Sequence, residues 1–257
     1  MNKKLVIILI FALCVPVLAS EYQSPMSLYK DNYFVAGNFE DQVKFQLSAK
    51  YNIFYTPQLQ APIGLYVAYT QTSWWTCYEK RDTFSSNYMP ETFYQLESGN
   101  NIFGNVDLGI IDYIQVSPIQ HASNGVEGVD HRGINIYYGQ IQLSVGEVFN
   151  FGTNLKGFGY YSKSGKNKDI NDYKKNYEAE VFFKLKSKTN WYVDKYEIHA
   201  KCSGNPRGKG YYVLEGVFQI FTSVIQPKIF VQYNNGYGIN LLTYNQKEEE
   251  IRMGVIF

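Results

Sequence analysis

Residues 43–55 read Val-Lys-Phe-Gln-Leu-Ser-Ala-Lys-Tyr-Asn-Ile-Phe-Tyr. Val43, Phe45, Leu47, Ala49, Tyr51, Ile53 and Tyr55 share one parity. Lys44, Gln46, Ser48, Lys50 and Asn52 share the other, with Phe54 the exception. Period two is the strand signature, because successive side chains leave a strand on opposite faces. A run this long, apolar on one face and polar on the other, has the length that a tilted membrane strand requires.

The pattern recurs on both sides of this stretch. Leu65, Val67, Tyr69 and Trp75 share a face. Tyr137, Ile141, Leu143 and Val145 alternate with Tyr138, Gln140, Gln142 and Ser144. Tyr177, Ala179, Val181, Phe183 and Leu185 alternate with Glu178, Glu180, Lys184 and Lys186. Turn chemistry at Asn100-Asn101, 150–154, Ser164-Gly165 and 234–236 separates the runs. About a dozen strands result. The chain carries 24 Tyr, 17 Phe and 3 Trp, yet no apolar stretch beyond the leader has the length of a transmembrane helix. A soluble sandwich also alternates, with its apolar faces packed inward. Strand length and the terminal run 251–257, which alternates and stops on Phe257, favour an all-β, transmembrane, antiparallel up-and-down barrel. Closure removes the strand edges that lipid cannot hydrate. Lys50, Glu180 and Lys184 then face a small interior where charges neutralise one another.

The chain begins with Lys3 and Lys4, an apolar run from Leu5 to Leu18, and Val17-Leu18-Ala19. A basic start, a short apolar core and small residues at its end describe a secretory signal peptide over residues 1–19, cleaved after Ala19. Leu13 before Cys14 does not suit lipoprotein processing. Residues 20–40 are expected to form an N-terminal periplasmic segment and residues 41–257 the barrel. The 24 Lys+Arg and 23 Asp+Glu nearly balance, which gives no reason to expect nucleic acid as a partner. Beyond the leader only Cys77 and Cys202 remain. A disulfide is permitted in an oxidising compartment, but two cysteines do not frame a fold.

Polar residues interrupt the apolar face in two places. Gln71 has the parity of Leu65, Val67 and Tyr69, and an amide facing hydrocarbon without a partner is costly. A shifted register, a position near the headgroups and a subunit contact each account for it. The second interruption is His121-Ala122-Ser123-Asn124-Gly125, followed by Asn135. His121 and Ser123 are two apart, on one face of an extended strand. Asn135 shares the outward parity of Tyr137 and approaches His121 if neighbouring strands pair across the loop between them. Such a set makes His121 the base that takes the Ser123 proton and Asn135 the group that orients the imidazole. A hydrolase facing its own solvent is sensible when the solvent, here lipid, is the substrate. A polar strand end rising into a loop explains the same residues.

Several blocks together resemble the outer membrane phospholipase A family. His121, Ser123, Asn124 and Gly125 match its His-x-Ser-Asn-Gly signature, and Asn135 follows the serine at the family's spacing. Residues 69–75, Tyr-Thr-Gln-Thr-Ser-Trp-Trp, look like its Tyr-Thr-Gln-x-Ser-Trp-Trp strand. Asn87-Tyr88-Met89-Pro90 and the group Tyr237, Gly238, Leu241, Tyr244 and Asn245 are similar to further segments. The resemblance runs from about residue 41 to the end. It implies a twelve-stranded outer-membrane barrel, calcium-dependent and active as a homodimer, inserted by the barrel assembly machinery. Its substrates would be phospholipids and lysophospholipids, cleaved at acyl esters near the outer leaflet.

By the same resemblance Ser123 is the nucleophile, His121 the base and Asn135 the orienting group. The backbone N–H groups of Ser123 and Gly125 help form the oxyanion hole, and Gln71 is a dimer contact. Calcium would take the Val126 carbonyl. The family's serine ligand aligns with His131, and imidazole is a poor substitute for a hard oxygen donor. Asp130 or Glu127 would then supply the missing oxygen, and a further ligand falls within residues 80–84. Arg132 is retained from the family's loop. An inactive structural barrel, acting as a pore or an adhesin, is the competing reading, and the altered calcium loop argues for it.

Overall fold

A computed structural model describes residues 24–37, 42–54, 64–76, 84–101, 104–106, 108–186, 195–204, 208–219 and 227–257. The leader expected over residues 1–19, Cys77 and residues 80–83 lie outside this set. Among the described residues the strands are β1 (Met26–Leu28), β2 (Tyr33–Gly37), β3 (Gln42–Asn52), β4 (Leu65–Thr76), β5 (Phe84–Glu97), β6 (Gly99–Asn101) and β7 (Gly104–Val106). They continue with β8 (Ile111–Ser123), β9 (Gly133–Val145), β10 (Phe149–Lys163), β11 (Tyr177–Lys186) and β12 (Lys195–Gly204). The last three are β13 (Gly210–Phe218), β14 (Lys228–Gly236) and β15 (Glu248–Ile256), and one helical turn, α1 (Ile170–Tyr173), lies between β10 and β11.

Each wall strand pairs antiparallel with its neighbours, and the sheet closes because β15 returns to β2. Strands β1 and β2 both lie along β3, at Ala49–Tyr51 and Gln42–Gln46 respectively, so they form one interrupted stave. The result is a closed barrel of twelve staves. The small hairpin of β6 and β7 stands apart from it.

The sidedness is inverted relative to a water-soluble fold. Lys44, Ser48, Asn52, Thr70, Glu91, Gln115, Gln232 and Arg252 are buried in the lumen, while Tyr51, Val67, Ile119, Tyr137, Ile198, Leu214 and Met253 are exposed outside. Lipid demands this arrangement, because the outer face must be apolar and the inner polar groups must satisfy one another. The lumenal charges do pair. Lys50 meets Glu97 at 3.9 Å, Lys184 meets Glu197 at 3.3 Å, and Glu180 meets His199 at 2.6 Å.

Two sequence expectations are corrected. The barrel begins before residue 41, since β1 and β2 are wall. The stave breaks near Asn32, whose side-chain oxygen accepts the Ser48 N–H and takes over the ladder, so neither half is long enough to display period two. Residues 150–154 are also not a turn but part of β10. Gly152 is there for close approach: a Cβ would lie 2.2 Å from the ring of Phe182.

Candidate active site

Strands β8 and β9 pair with His121 opposite Asn135 and Ser123 opposite Gly133. Their outward parity puts His121, Ser123 and Asn135 on the lipid side of the wall. His121 Nδ1 and Asn135 Oδ1 are 2.8 Å apart. The Asn135 Nδ2 group donates to Ser162 Oγ at 2.8 Å, which turns the amide oxygen toward the imidazole. An amide oxygen only accepts, so Nδ1 carries the proton and Nε2 keeps a lone pair, the tautomer that a general base needs. Ser123 is related to His121 by strand parity. Among the described residues no hydrogen bond joins its hydroxyl to the imidazole, and such catalytic bonds often tighten only with substrate bound.

Ser162 reaches this place through a bulge. The β9–β10 register shifts between Tyr160 and Ser162, and Tyr161 and Ser162 are both exposed. Without the extra residue Ser162 would face the lumen.

The loop after Ser123 is held by side chains. Asn124 is buried. Its Nδ2 donates to the Asp130 carbonyl at 2.7 Å, and its Oδ1 accepts from the Arg132 N–H at 2.9 Å. Gly125 has φ +66°, and a Cβ there would stand 2.5 Å from Tyr88 Cε2. Only glycine meets both conditions, so this backbone is preset.

Behind the wall, inside the barrel mouth, lies an apolar cluster of Ile134, Ile136, Tyr138, Phe158, Ile170, Leu241 and Tyr244, with Ala122 packed against it. Ile170 and Tyr244 arrive on loops 164–176 and 237–247. Asn167 is buried in the first loop. Its Nδ2 donates to the Gly133 carbonyl at 3.2 Å, and its Oδ1 accepts the Gly133 N–H at 3.4 Å. The site thus stands on a wall braced from within. All three loops open at the end of the barrel opposite Met26 and Phe257, as the strand registers require.

On the outside an apolar groove of about 580 Å³ starts at His121 and runs past Ile119, Tyr69, Val67 and Tyr51 to Met26. Gln71 lies in the same row as Ser123, linked through Tyr88. Its Oε1 accepts from Tyr69 Oη at 3.1 Å and its Nε2 donates to Ser73 Oγ at 3.0 Å. Gln71 thus keeps the outward parity of Leu65, Val67 and Tyr69, and its amide is bonded within its own wall, with one N–H left over among the described residues.

A family model described as phospholipase A1 matches residues 10–257. This chain belongs to the phospholipase A1 family. A phospholipase A1 of Salmonella typhimurium is 24% identical over 228 residues, covering 84% of this chain and 70% of the relative. The outer membrane phospholipase A of Escherichia coli superposes with a TM-score of 0.68 at 18% identity, covering 90% and 94% of the two chains. A Salmonella typhi outer membrane phospholipase, solved as a dimer with bound calcium, gives 0.69 at 18% identity, with 95% and 96% covered. Membership makes the chain a phospholipase, and its barrel belongs in a bacterial outer membrane.

For a calcium ion such as that bound in the Salmonella typhi relative, the loop of this chain fits poorly. The Val126 carbonyl already accepts from His131 Nδ1 at 3.0 Å. The Arg132 guanidinium donates to the Val129 and His131 carbonyls at 2.9 and 3.0 Å, and Asn124 takes the Asp130 carbonyl. Asp130 and Glu127 are exposed. A ring nitrogen and a guanidinium stand where a calcium ion wants oxygen ligands and no fixed positive charge. These residues do not fit the ion. Asn124, Tyr88, Ser162 and Asn167 carry parts of the site that sequence reasoning did not assign. Asn124 and Tyr88 stood inside matched motifs; the other two had no signal.

Proposed function

We propose that this chain hydrolyses acyl ester bonds of phospholipids and lysophospholipids at the outer leaflet, with Ser123 as nucleophile, His121 as general base and Asn135 as orienting group. The observation that carries the reading is the 2.8 Å His121–Asn135 hydrogen bond on the outer face of the wall. The adjoining apolar groove suits an acyl chain.

Ser123 Oγ attacks the ester carbonyl carbon while His121 Nε2 takes its proton. Charge gathers on the carbonyl oxygen, and the N–H groups of Ser123 and Gly125 are the donors proposed to meet it. Collapse expels the lysophospholipid alkoxide, which His121 protonates. Water, deprotonated by the same nitrogen, then releases the fatty acid. Asn135 keeps the imidazole in the reactive tautomer but supplies no charge, so imidazolium is less stabilised than beside a carboxylate.

A second copy of the chain, meeting the first along the row of Gln71, would complete the groove and restrict hydrolysis to the dimer. A leader over residues 1–19, removed on export, and insertion by the barrel assembly machinery are part of the same reading.

The test is fatty-acid release from phosphatidylcholine in mixed micelles by the refolded barrel and by Ser123→Ala. Release should fall by about 1,000-fold or more in the variant, as when a nucleophile is removed. Equal rates would leave the inactive structural barrel as the better account.

A further inference from the structure

The loop that shapes the nucleophile is closed by nitrogen donors. His131 Nδ1 must be the donor to Val126, since a carbonyl only accepts, and the 3.0 Å bond ties the backbone one residue beyond Gly125 to the far side of the loop. The Arg132 guanidinium gathers two more carbonyls, those of Val129 and His131. Asn124 takes that of Asp130 and also accepts the Arg132 N–H. The carbonyls of Val126, Val129, Asp130 and His131, which would otherwise be free to face a cation, thereby each accept a hydrogen bond from a side-chain nitrogen. A fixed guanidinium charge stands among them, and a divalent ion entering there would break these bonds and meet like charge.

We propose that this chain holds its oxyanion loop through the hydrogen bonds of His131 and Arg132, without the calcium with which a relative was solved. The proposal rests on the phospholipase reading of Ser123. Gly125 keeps its left-handed backbone and presents its N–H because the His131–Val126 bond fixes the peptide that follows Val126. The Arg132 charge adds to the positive field around that loop. Calcium is then neither required for hydrolysis nor bound by the loop.

Two measurements on the refolded wild-type barrel decide this. The first is fatty-acid release with excess calcium and with excess EGTA. If calcium shaped the oxyanion donors, chelation would cost on the order of 100-fold, the loss that follows removal of one such donor. The expected result is the same rate in both; an EGTA-dependent collapse of rate overturns the proposal. The second is a calorimetric calcium titration, which reads binding whether or not the protein is active. Wild type should show no saturable heat up to about millimolar calcium, the weak end of protein calcium sites. Saturable binding that disappears in Asp130→Ala overturns the proposal by showing that the carboxylate completes a site.

His131→Ser frees the Val126 carbonyl and restores an oxygen donor. It should gain saturable calcium binding and an EGTA-sensitive rate. If that variant does not fold, the two wild-type measurements still decide. No release under either condition would sink the phospholipase reading, while the titration would continue to test the loop.

Discussion

An asparagine in a catalytic set is ambiguous in a way that an aspartate is not, because its amide offers an acceptor on one side and donors on the other. Turned over, Asn135 would present Nδ2 to His121, Nδ1 would have to accept, and the proton would move to Nε2, which could then no longer take one from Ser123. Ser162 Oγ, 2.8 Å from Asn135 Nδ2, biases the amide toward the productive orientation. The bias is worth about 1 kcal/mol, the typical net value of a neutral hydrogen bond. Ser162→Ala should therefore lower kcat by about fivefold with KM unchanged, and Ser162→Thr should recover it. The readout that separates positioning from general damage is the nitrogen NMR signature of the His121 tautomer. An unshifted tautomer beside a reduced kcat would refute the role. His121, Ser123 and Asn135 were legible from parity because β8 and β9 keep it where they matter. Ser162 was not, because plain alternation along β10 turns it into the lumen, and only the bulge brings it out.

Among the elements, the strands of the wall were readable and the loops that fill the barrel mouth were not. Period two reports which face a residue takes, but carries nothing about a loop that folds back inside. Residues 164–176 and 237–247 do so, through Ile170, Leu241 and Tyr244 behind Ile134 and Ile136. In the sequence Tyr237, Gly238, Leu241 and Tyr244 stand out only as a segment similar to the family's, with no role attached. The two loops are clamped by Tyr244 Oη, which donates to the Asp169 carboxylate. Burial, and then that carboxylate, push the phenol up to about 12. A raised phenol contributes its full stabilisation below its unfolded value of about 10, and loses it as pH climbs through about 12. Wild type should thus show loop opening between those limits that Tyr244→Phe does not. At neutral pH the variant should be less protected by about 1 kcal/mol after solvent screening. Hydrogen exchange of 237–247 at pH 8 and pH 11 measures both. Identical exchange in the two proteins at both pH values would show that the clamp contributes nothing.

For the whole molecule the weakest line is the seam where the ends of the chain meet. Strand β2 offers β15 five paired residues, from Tyr33 opposite Ile256 to Gly37 opposite Arg252, whereas β14 gives β15 nine. A lumenal network crosses behind the short stave. Lys44 on β3 donates to Gln232 on β14 at 2.7 Å and stands 3.6 Å from Glu250 on β15. Glu250 also accepts from Asn234 at 2.6 Å and from Arg252 at 2.5 Å. All five side chains are buried, so the carboxylate balances two cations that have little access to water. The alternation of 251–257 points to a barrel wall, and the apolar outer face states what surrounds it, but the network is not readable because Lys44 lies about 200 residues from its other members. Removing Glu250 takes one carboxylate partner from both Lys44 and Arg252, and breaking a buried pair in this way costs about 3 kcal/mol or more. Glu250→Ala should therefore unfold at lower urea in detergent micelles, with exchange rising first in β15 and β2. Glu250→Gln, which retains hydrogen-bonding capacity toward Asn234 but loses the charge, should fall between it and wild type. An unchanged midpoint in Glu250→Ala would mean that the five-residue ladder holds the seam without help from the lumen.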